Sequence, residues 1–525
     1  MTTYTAAKVF TGAGPKEFCS AFTIEDGMFT WVGEAEGVDA ATVDGEVVTL
    51  GEATVLPGLL DVHTHPSFMA TLADSMALLQ PLVVTRAGLV KQLRCHPGLG
   101  AGPDVWVMGF GYNEDNYPDG APTRHTLDEV STTQPVFARR ADGHTAVCNT
   151  FALQLAGISA QTPDPPYGQI VRDQAGDPTG LLVEPDAVDL VYQLRPAPDR
   201  DEVVRRLVGL NEHFLSLGLV SINDLYGNFI VDPLATYRDA ERSGYLPSTG
   251  VFLAYPAGEL PRLTDQDRMG RMRIAGVKVF MDGAFSNRTA WVDEPYPGTE
   301  SHGIVTASDE ELRTAVAWAR GNQVQCAVHV MGDRGINHLM DLFEDEAPWM
   351  GELPSIRFDH STLFTAEMMQ RANRARMNFG IVTHTVFFFA EYDSYVKNLG
   401  PRQFDIAYPI RTLYDNVDHL ALSSDAPATA WSTCDDPFLS VKAAVTRTAY
   451  TGDQINAKEA VTVGEALHLY TGKAAQVSVF RDVGVITAGY EGSFIVVDRD
   501  PFTIDPSELD EVKVMQTWIR GERVY

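Results

Sequence analysis

Between residues 55 and 483 the chain alternates strand-like apolar runs with helical patterns, and that alternation is the strongest limit on its fold. The strand candidates are VLPGLLDVHTH, LVSINDL, TGVFLAY, IAGVKVFMDG, VQCAVH, IRFDH, NFGIVTH and LALSSD. Strands alternating with helices build parallel βα units, and eight such units predict an α/β protein with a (β/α)8 TIM barrel. The helices carry their own punctuation. Residues 201–217 place Val203, Val204, Leu207, Leu210, Phe214 and Leu215 on one face, and Gly218 stops them before LVSINDL. Ser308 with Glu311 forms a capping box for a helix bearing Leu312, Ala315, Val316 and Ala319, expected to end at Gly321; Thr462 with Glu465 starts another.

The two ends read differently. Residues 1–54 hold short β-like segments broken at Gly and Asp, and 484–525 again read as strands, so a small β-sandwich composed from both termini is expected around the barrel of 55–483. A segment of about 67–200 is an insertion after the first barrel strand. At 525 residues and 45% hydrophobic content the chain buries a large core. Its net charge of -30, with 70 acidic against 40 basic residues, argues against nucleic acid or an anionic membrane as partner, since either needs a basic face. Five scattered cysteines without a CxxC pair argue against a disulfide framework or a structural zinc site. No signal-like N-terminus or long apolar span is present, so a soluble, cytoplasmic protein is expected.

In a barrel of this kind the active-site groups sit at the C-terminal ends of the strands. His63 and His65, in PGLLDVHTHP, stand two apart; on a strand such residues share a face, so both rings reach one metal ion. Lys278, His329, His360 and Asp425 occupy the ends of further strands. Singly each has a structural explanation: a strand-end histidine often hydrogen-bonds within the core, and Asp425 before Ala-Pro suits a turn. Together, four histidines and an aspartate are the ligand types a borderline divalent ion such as zinc prefers. Lys278 alternates with Val277 and Val279, so if the valines face the helices the lysine points into the barrel. A buried ammonium is costly unless paired or chemically altered. An ion pair with Asp282, or a place at the rim, are the structural alternatives.

The motifs PGLLDVHTHP, RADGHTAVCN, PTGLLVEP, VKVFMDGAFSNRTA, HVMGDRGI, RFDH, SSDAP and DPFLSVKAAVTR resemble the amidohydrolase superfamily of metal-dependent hydrolases. The resemblance spans essentially the whole chain and is to the branch of N-substituted formamide deformylases and AepA-like and YtcJ-like proteins. It implies His63, His65 and Asp425 on one ion, His329 and His360 on a second, and Lys278, carboxylated on its amine (N6-carboxylysine), as the bridging ligand. The implied cofactors are two divalent ions, zinc above all. The implied activity is hydrolysis of a non-peptide C–N bond in an amide, N-formyl or N-acyl group. In that chemistry a hydroxide bridged between the metals attacks the carbonyl carbon, and Asp425 serves as general base and then acid.

Substrate contacts are expected from His144 in RADGH, Glu184 in PTGLLVEP and Arg288 in AFSNRTA, though a structural role, including a pairing of Arg288 with Glu184, competes for each. The chain departs from the common SLGSRTA pattern at Phe285 and Asn287, and has Ser493 where aspartate is usual. Phe387, Phe388 and Phe389 follow the seventh strand; a core role competes with a pocket wall, which would imply a small-molecule amide with an apolar or aromatic group. A homodimer is left open as the assembly. The competing readings of the activity are a mononuclear deaminase or other hydrolase with Lys278 unmodified, and a noncatalytic binding protein on the same scaffold.

Overall fold

The computed structural model describes residues 1–38, 45–114, 117–141, 143, 145–166, 168–255 and 260–525. Eight parallel strands follow one another in chain order: β1 (Leu59–Thr64), β2 (Leu219–Asp224), β3 (Ser248–Ala254), β4 (Met272–Phe280), β5 (Gln325–Val330), β6 (Ile356–His360), β7 (Phe379–Thr383) and β8 (Leu420–Leu422). Beyond the last ladder, Asp425 N donates to His63 O and His65 N to Ala426 O, each at 2.8 Å, so backbone hydrogen bonds tie the β8 end to β1 and nearly close the barrel. The strands are buried along almost their whole length, as expected for a parallel sheet covered by helices. Register then sets the functional row: Phe280 stands beside His329, His329 beside Asp359, and His360 beside Thr383.

The helical punctuation explains the crossovers. Arg200–Ser216 forms a helix whose Leu207, Phe214 and Leu215 are buried, and Gly218 (φ 74°) turns the chain into β2. Ser308 and Glu311 make the reciprocal capping box of the Asp309–Asn322 helix, which buries Leu312, Ala315, Val316 and Ala319. That helix does not stop at Gly321. It runs to Asn322, and the left-handed residue that ends it is Gln323 (φ 54°). Thr462 and Glu465 cap the Val463–His468 helix in the same way.

Both termini enter a second eight-stranded sheet, in the order Glu522–Arg523, Val514–Ile519, Phe494–Val497, Thr54–Pro57, Thr2–Phe10, Phe18–Glu25, Met28–Gly33, with Glu46–Thr49 beside Thr2–Phe10. Its core is aromatic: Tyr4, Phe22, Phe29 and Phe494 are buried together. Barrel and terminal sheet belong to one compact unit, 1–68, 204–426 and 435–525; a second unit comprises 69–203 and 427–434. The second unit has its own six-stranded sheet and apolar clusters around Leu93, Val107 and Tyr112 and around Phe137, Cys148 and Leu182. Among the described residues no helix is long and apolar enough to cross a membrane.

Candidate metal centre

His63 and His65 lie on the end of β1 and just beyond it, both buried, with rings 5.5 Å apart. Asp425 comes up from beyond β8 to meet them: its Oδ1 lies 3.1 Å from His63 Nε2 and 2.9 Å from His65 Nε2. The approach depends on a backbone turn, since Asp425 is left-handed (φ 55°). His360 (φ 77°) and Ser361 (φ 44°) at the end of β6 are left-handed as well. Each such non-glycine conformation costs about 1–3 kcal/mol, and such strain concentrates where side-chain aim matters.

His63 is also fixed from behind. Its Nδ1 lies 2.8 Å from Asp359 Oδ2, so Nε2 is the nitrogen left to face Asp425. Asp359 is itself held by Arg357, a fully buried guanidinium that donates from Nε to Oδ1 (3.1 Å), from Nη2 to Oδ2 (3.0 Å), and from Nη2 to Val62 O (2.8 Å). Burial opposes ionisation of Asp359, but Arg357, His63 and Lys278 outweigh it and hold the carboxyl below the usual carboxylate range. Asp425 likewise overcomes burial through His63, the hydrogen bonds from His63 and His65, and His360, and stays well below that range.

Lys278 points inward from β4 and is only 1% exposed, so it is not a rim residue. Nor is it paired with Asp282, whose carboxylate instead accepts from Trp291 N (2.9 Å), Met331 N (2.9 Å) and Gly332 N (2.8 Å). The carboxylate beside Lys278 is Asp359, at 4.0 Å, and Nζ has no hydrogen-bond partner among the described residues. Burial lowers the lysine pKa to about 8 against the pull of Asp359 and Asp425.

His329 and His360 lie side by side with ring centroids 4.2 Å apart. His329 Nε2 is 3.2 Å from Gly283 O, and His360 Nδ1 is 4.0 Å from Asp425 Oδ2. A further ring, His384 just after β7, completes the group at 5.1 Å from His63 and 4.8 Å from His360. Burial pushes His329 and His384 down to about 3, aided by Lys278 and His63 respectively, and holds His360 well below its ordinary value. Neutral imidazoles beside an ionised carboxylate are the protonation states that metal binding requires.

Two donor sets result, His63–His65–Asp425 and His63–His360–His384, each with ligand atoms within 4.8 Å of one another. The contacts of 2.9 and 3.1 Å onto Asp425 are close to the roughly 3–3.5 Å between ligands of a tetrahedral ion with bonds near 2.1 Å. Unpartnered polar atoms of Lys278, His65, His360 and His384, all buried, are a poor end state for a core and a good one for a divalent ion.

The remaining sequence candidates fall elsewhere. His144, like Asp142, lies outside the described residues. Glu184 is exposed in the second unit and left-handed (φ 66°). Arg288 donates from Nε to Asn398 Oδ1 at 2.8 Å, which gives it a structural partner in the barrel unit. Phe387, Phe388 and Phe389 are all buried, because Thr385–Ala390 is a helix packed inward: Phe387 stacks on His384 at 4.9 Å and Phe388 lies among Tyr395, Phe404 and Tyr408. Ser493 donates to Glu491 Oε1 at 2.7 Å in the terminal sheet.

Two residues of the centre were not anticipated from sequence, Asp359 and His384. The signals existed: RFDH puts a carboxylate next to a proposed ligand, and NFGIVTH ends in histidine as the other ligand strands do. Also unforeseen was a ribbon of rings beside the ligands. Phe68 stacks on Phe229 at 4.5 Å, Phe229 lies 5.1 Å from Tyr226, and Tyr226 lies 6.1 Å from Phe280. Its ends reach His65 (6.2 Å from Phe229) and His329 (5.0 Å from Phe280).

A model described as the amidohydrolase family matches residues 46–525. The chain is 30% identical over 520 residues to the putative amidohydrolase YtcJ of Bacillus subtilis, covering 96% of each. It is 29% identical to the N-substituted formamide deformylase of Arthrobacter pascens, covering 95% of this chain and 94% of that one. Among solved structures, an uncharacterized metal-dependent hydrolase from Pyrococcus horikoshii superposes with a TM-score of 0.75 at 24% identity, over 96% of this chain and 99% of that one.

Proposed function

The chain belongs to the amidohydrolase family, and on that premise we propose that it is a metal-dependent hydrolase of a carbon–nitrogen bond in a small non-peptide amide, N-formyl or N-acyl compound. The observation that carries the reading is the pair of buried donor sets meeting at His63, with the amine of Lys278, which makes no hydrogen bond among the described residues, alongside. In this reading His63, His65 and Asp425 hold one divalent ion, His329 and His360 a second, and zinc suits the imidazole-rich set. Lys278, with its amine made partly neutral by burial, adds carbon dioxide with loss of a proton; the carbamate replaces a buried cation by an anion able to bridge. When bound, the ions supply Lewis acidity, polarising the amide carbonyl and acidifying water.

The chain's own groups do the rest. Asp425, kept ionised, accepts the proton of the attacking water on a carboxylate oxygen and delivers it to the departing nitrogen. Asp359 holds His63 in the tautomer that turns Nε2 to the centre. Phe229 and Phe280, 39% and 37% exposed beside His65 and His329, offer apolar faces, which favours a substrate with an apolar or aromatic substituent. The relative named N-substituted formamide deformylase points to the same bond class.

The test is a metal count on the purified protein together with a panel of N-substituted formamides and acyl amines, read by release of the acid and the amine. About two ions per chain and metal-dependent turnover are expected. One ion per chain with full turnover would instead favour the mononuclear reading, and a chain that neither binds metal nor turns over any amide would leave a binding protein.

A further inference from the structure

His384 stands outside the ligand set that the family resemblance implies, yet its surroundings leave its Nε2 a single use. Its Nδ1 lies 2.9 Å from Ser423 O, and a carbonyl oxygen can only accept. The ring proton therefore sits on Nδ1, and Nε2 carries the lone pair. The anchor is firm: Ser423 N donates to Thr383 O, and the Ser423 hydroxyl donates to Asp61 and lies 2.6 Å from His63 N. On its face the ring is stacked against buried Phe387, with 22° between the planes, which fixes the ring plane, while the contact of Nδ1 with Ser423 O sets which nitrogen points inward.

So oriented, Nε2 is buried and has no hydrogen-bond partner among the described residues. It cannot donate to a substrate oxygen in this tautomer, which rules out an oxyanion-hole role. The ring belongs to a buried group with His63 and His360 in which one nitrogen of each lies within 4.8 Å of the others. A buried lone pair on Nε2 with no donor to meet it, beside two further imidazoles, is suited to a cation, and the proton of His384 is committed to Ser423 O.

We infer that His384 is a metal ligand, binding through Nε2 the ion assigned above to His329 and His360, with His63, a ligand of the neighbouring ion, close by. This rests on the metal-dependent reading given above and extends it: a neutral imidazole contributed from the β7 end joins the ligands from β1, β4, β5, β6 and β8. The chemical consequence is selectivity. An additional imidazole favours zinc, cobalt, nickel or iron over magnesium, calcium or manganese, whose preference is for oxygen.

The experiment is a cobalt(II) titration of the chelator-stripped full-length protein, wild type against His384→Gln, read by visible absorption and by a direct metal count. The glutamine amide keeps a donor for Ser423 O and lacks the ring nitrogen. The expected result is a loss of affinity for one of the ions of at least about 100-fold, at or beyond the upper end of the roughly 10- to 100-fold that outer-shell partners give, with shifted cobalt bands. Unchanged bands with a loss under tenfold would overturn the ligand assignment. Failure of the wild-type chain to bind any divalent ion would overturn the metal reading itself and this inference with it. Should the variant not fold, a crystal structure of the wild-type zinc protein decides: Nε2 at about 2.1 Å from an ion supports the assignment, and a separation beyond about 3 Å overturns it.

Discussion

The terminal sheet and the barrel mouth are buried to the same degree by opposite chemistries. In the sheet, Phe22 has Tyr4 at 5.3 Å, Phe29 at 5.4 Å and Phe494 at 5.0 Å, apolar rings in offset and edge-on contact. Burial there is the source of stability. At the mouth, burial encloses His63, His65, His329, His360, His384, Lys278, Asp359 and Asp425, and every one of them is a group that burial alone destabilises. Arg357 neutralises part of that array through Asp359, but Lys278 Nζ, His360 Nδ1 and His384 Nε2 are left without hydrogen bonds among the described residues. The sheet stabilises by packing apolar rings, whereas the mouth gathers buried titratable groups whose polar atoms packing alone does not satisfy.

Mutations separate the two most sharply. Lys278→Ala is expected to remove both turnover and bound metal, with partial rescue by a short carboxylic acid that substitutes for the carbamate; a fully active alanine variant would refute the two-ion reading. Asp425→Asn should keep some metal through the histidines and lose about 10²–10⁴-fold in turnover, measured as kcat on an active amide. Phe22→Ala should do the reverse: about 3–5 kcal/mol less stable in chemical denaturation, at an unchanged ratio of metal to folded protein. Metal loss in that variant, while it is still folded, would show that the two regions are not independent.

The same contrast decides what was legible in the sequence. The barrel, the strand-end candidate residues and the terminal sheet follow from local periodicity, because strand alternation and helix capping are written within a few residues. Lys278 stood out because a charge on an apolar strand is visible without a partner. Its partner was not visible: Asp282 is nearer in sequence, but three backbone N–H groups claim its carboxylate, and the register of β4, β5 and β6 brings Asp359 instead. His384 escaped for a related reason, since its orientation depends on a carbonyl 39 residues away. The run Phe387–Phe389 read as a possible pocket wall; a short helix buries Phe388 among Tyr395, Phe404 and Tyr408 but leaves Phe387 against His384, while Phe229 and Phe280, isolated in the sequence, lie beside His65 and His329. Contacts set by register and tautomer have no signature in periodicity.

The smallest effect separates the regions through protons. In the metal-free protein the folded pKa of His384 is about 3 against an ordinary value of 6.5. Between those limits the unfolded chain binds a proton that the folded chain refuses, so stability is full above pH 6.5 and falls as the pH drops toward 3. His329 has the same sign and nearly the same window. Asp282 has the opposite sign: with its folded pKa raised to about 7 by burial, it gains stability as the pH falls from 7 toward 3.8 and masks part of the slope. In the net acid limb the two signs oppose each other, and a difference between variants separates them. His384→Gln removes one histidine and leaves Asp282 in place, so its stability in chemical denaturation from pH 6.5 to 4 should fall less steeply than that of the wild type, by up to about 1 kcal/mol per pH unit. Phe22→Ala should shift the whole curve down and leave its slope unchanged. Parallel curves for wild type and His384→Gln would mean that the ring already carries its proton in the folded protein, and the centre would then lack the neutral nitrogen that distinguishes it from the aromatic core.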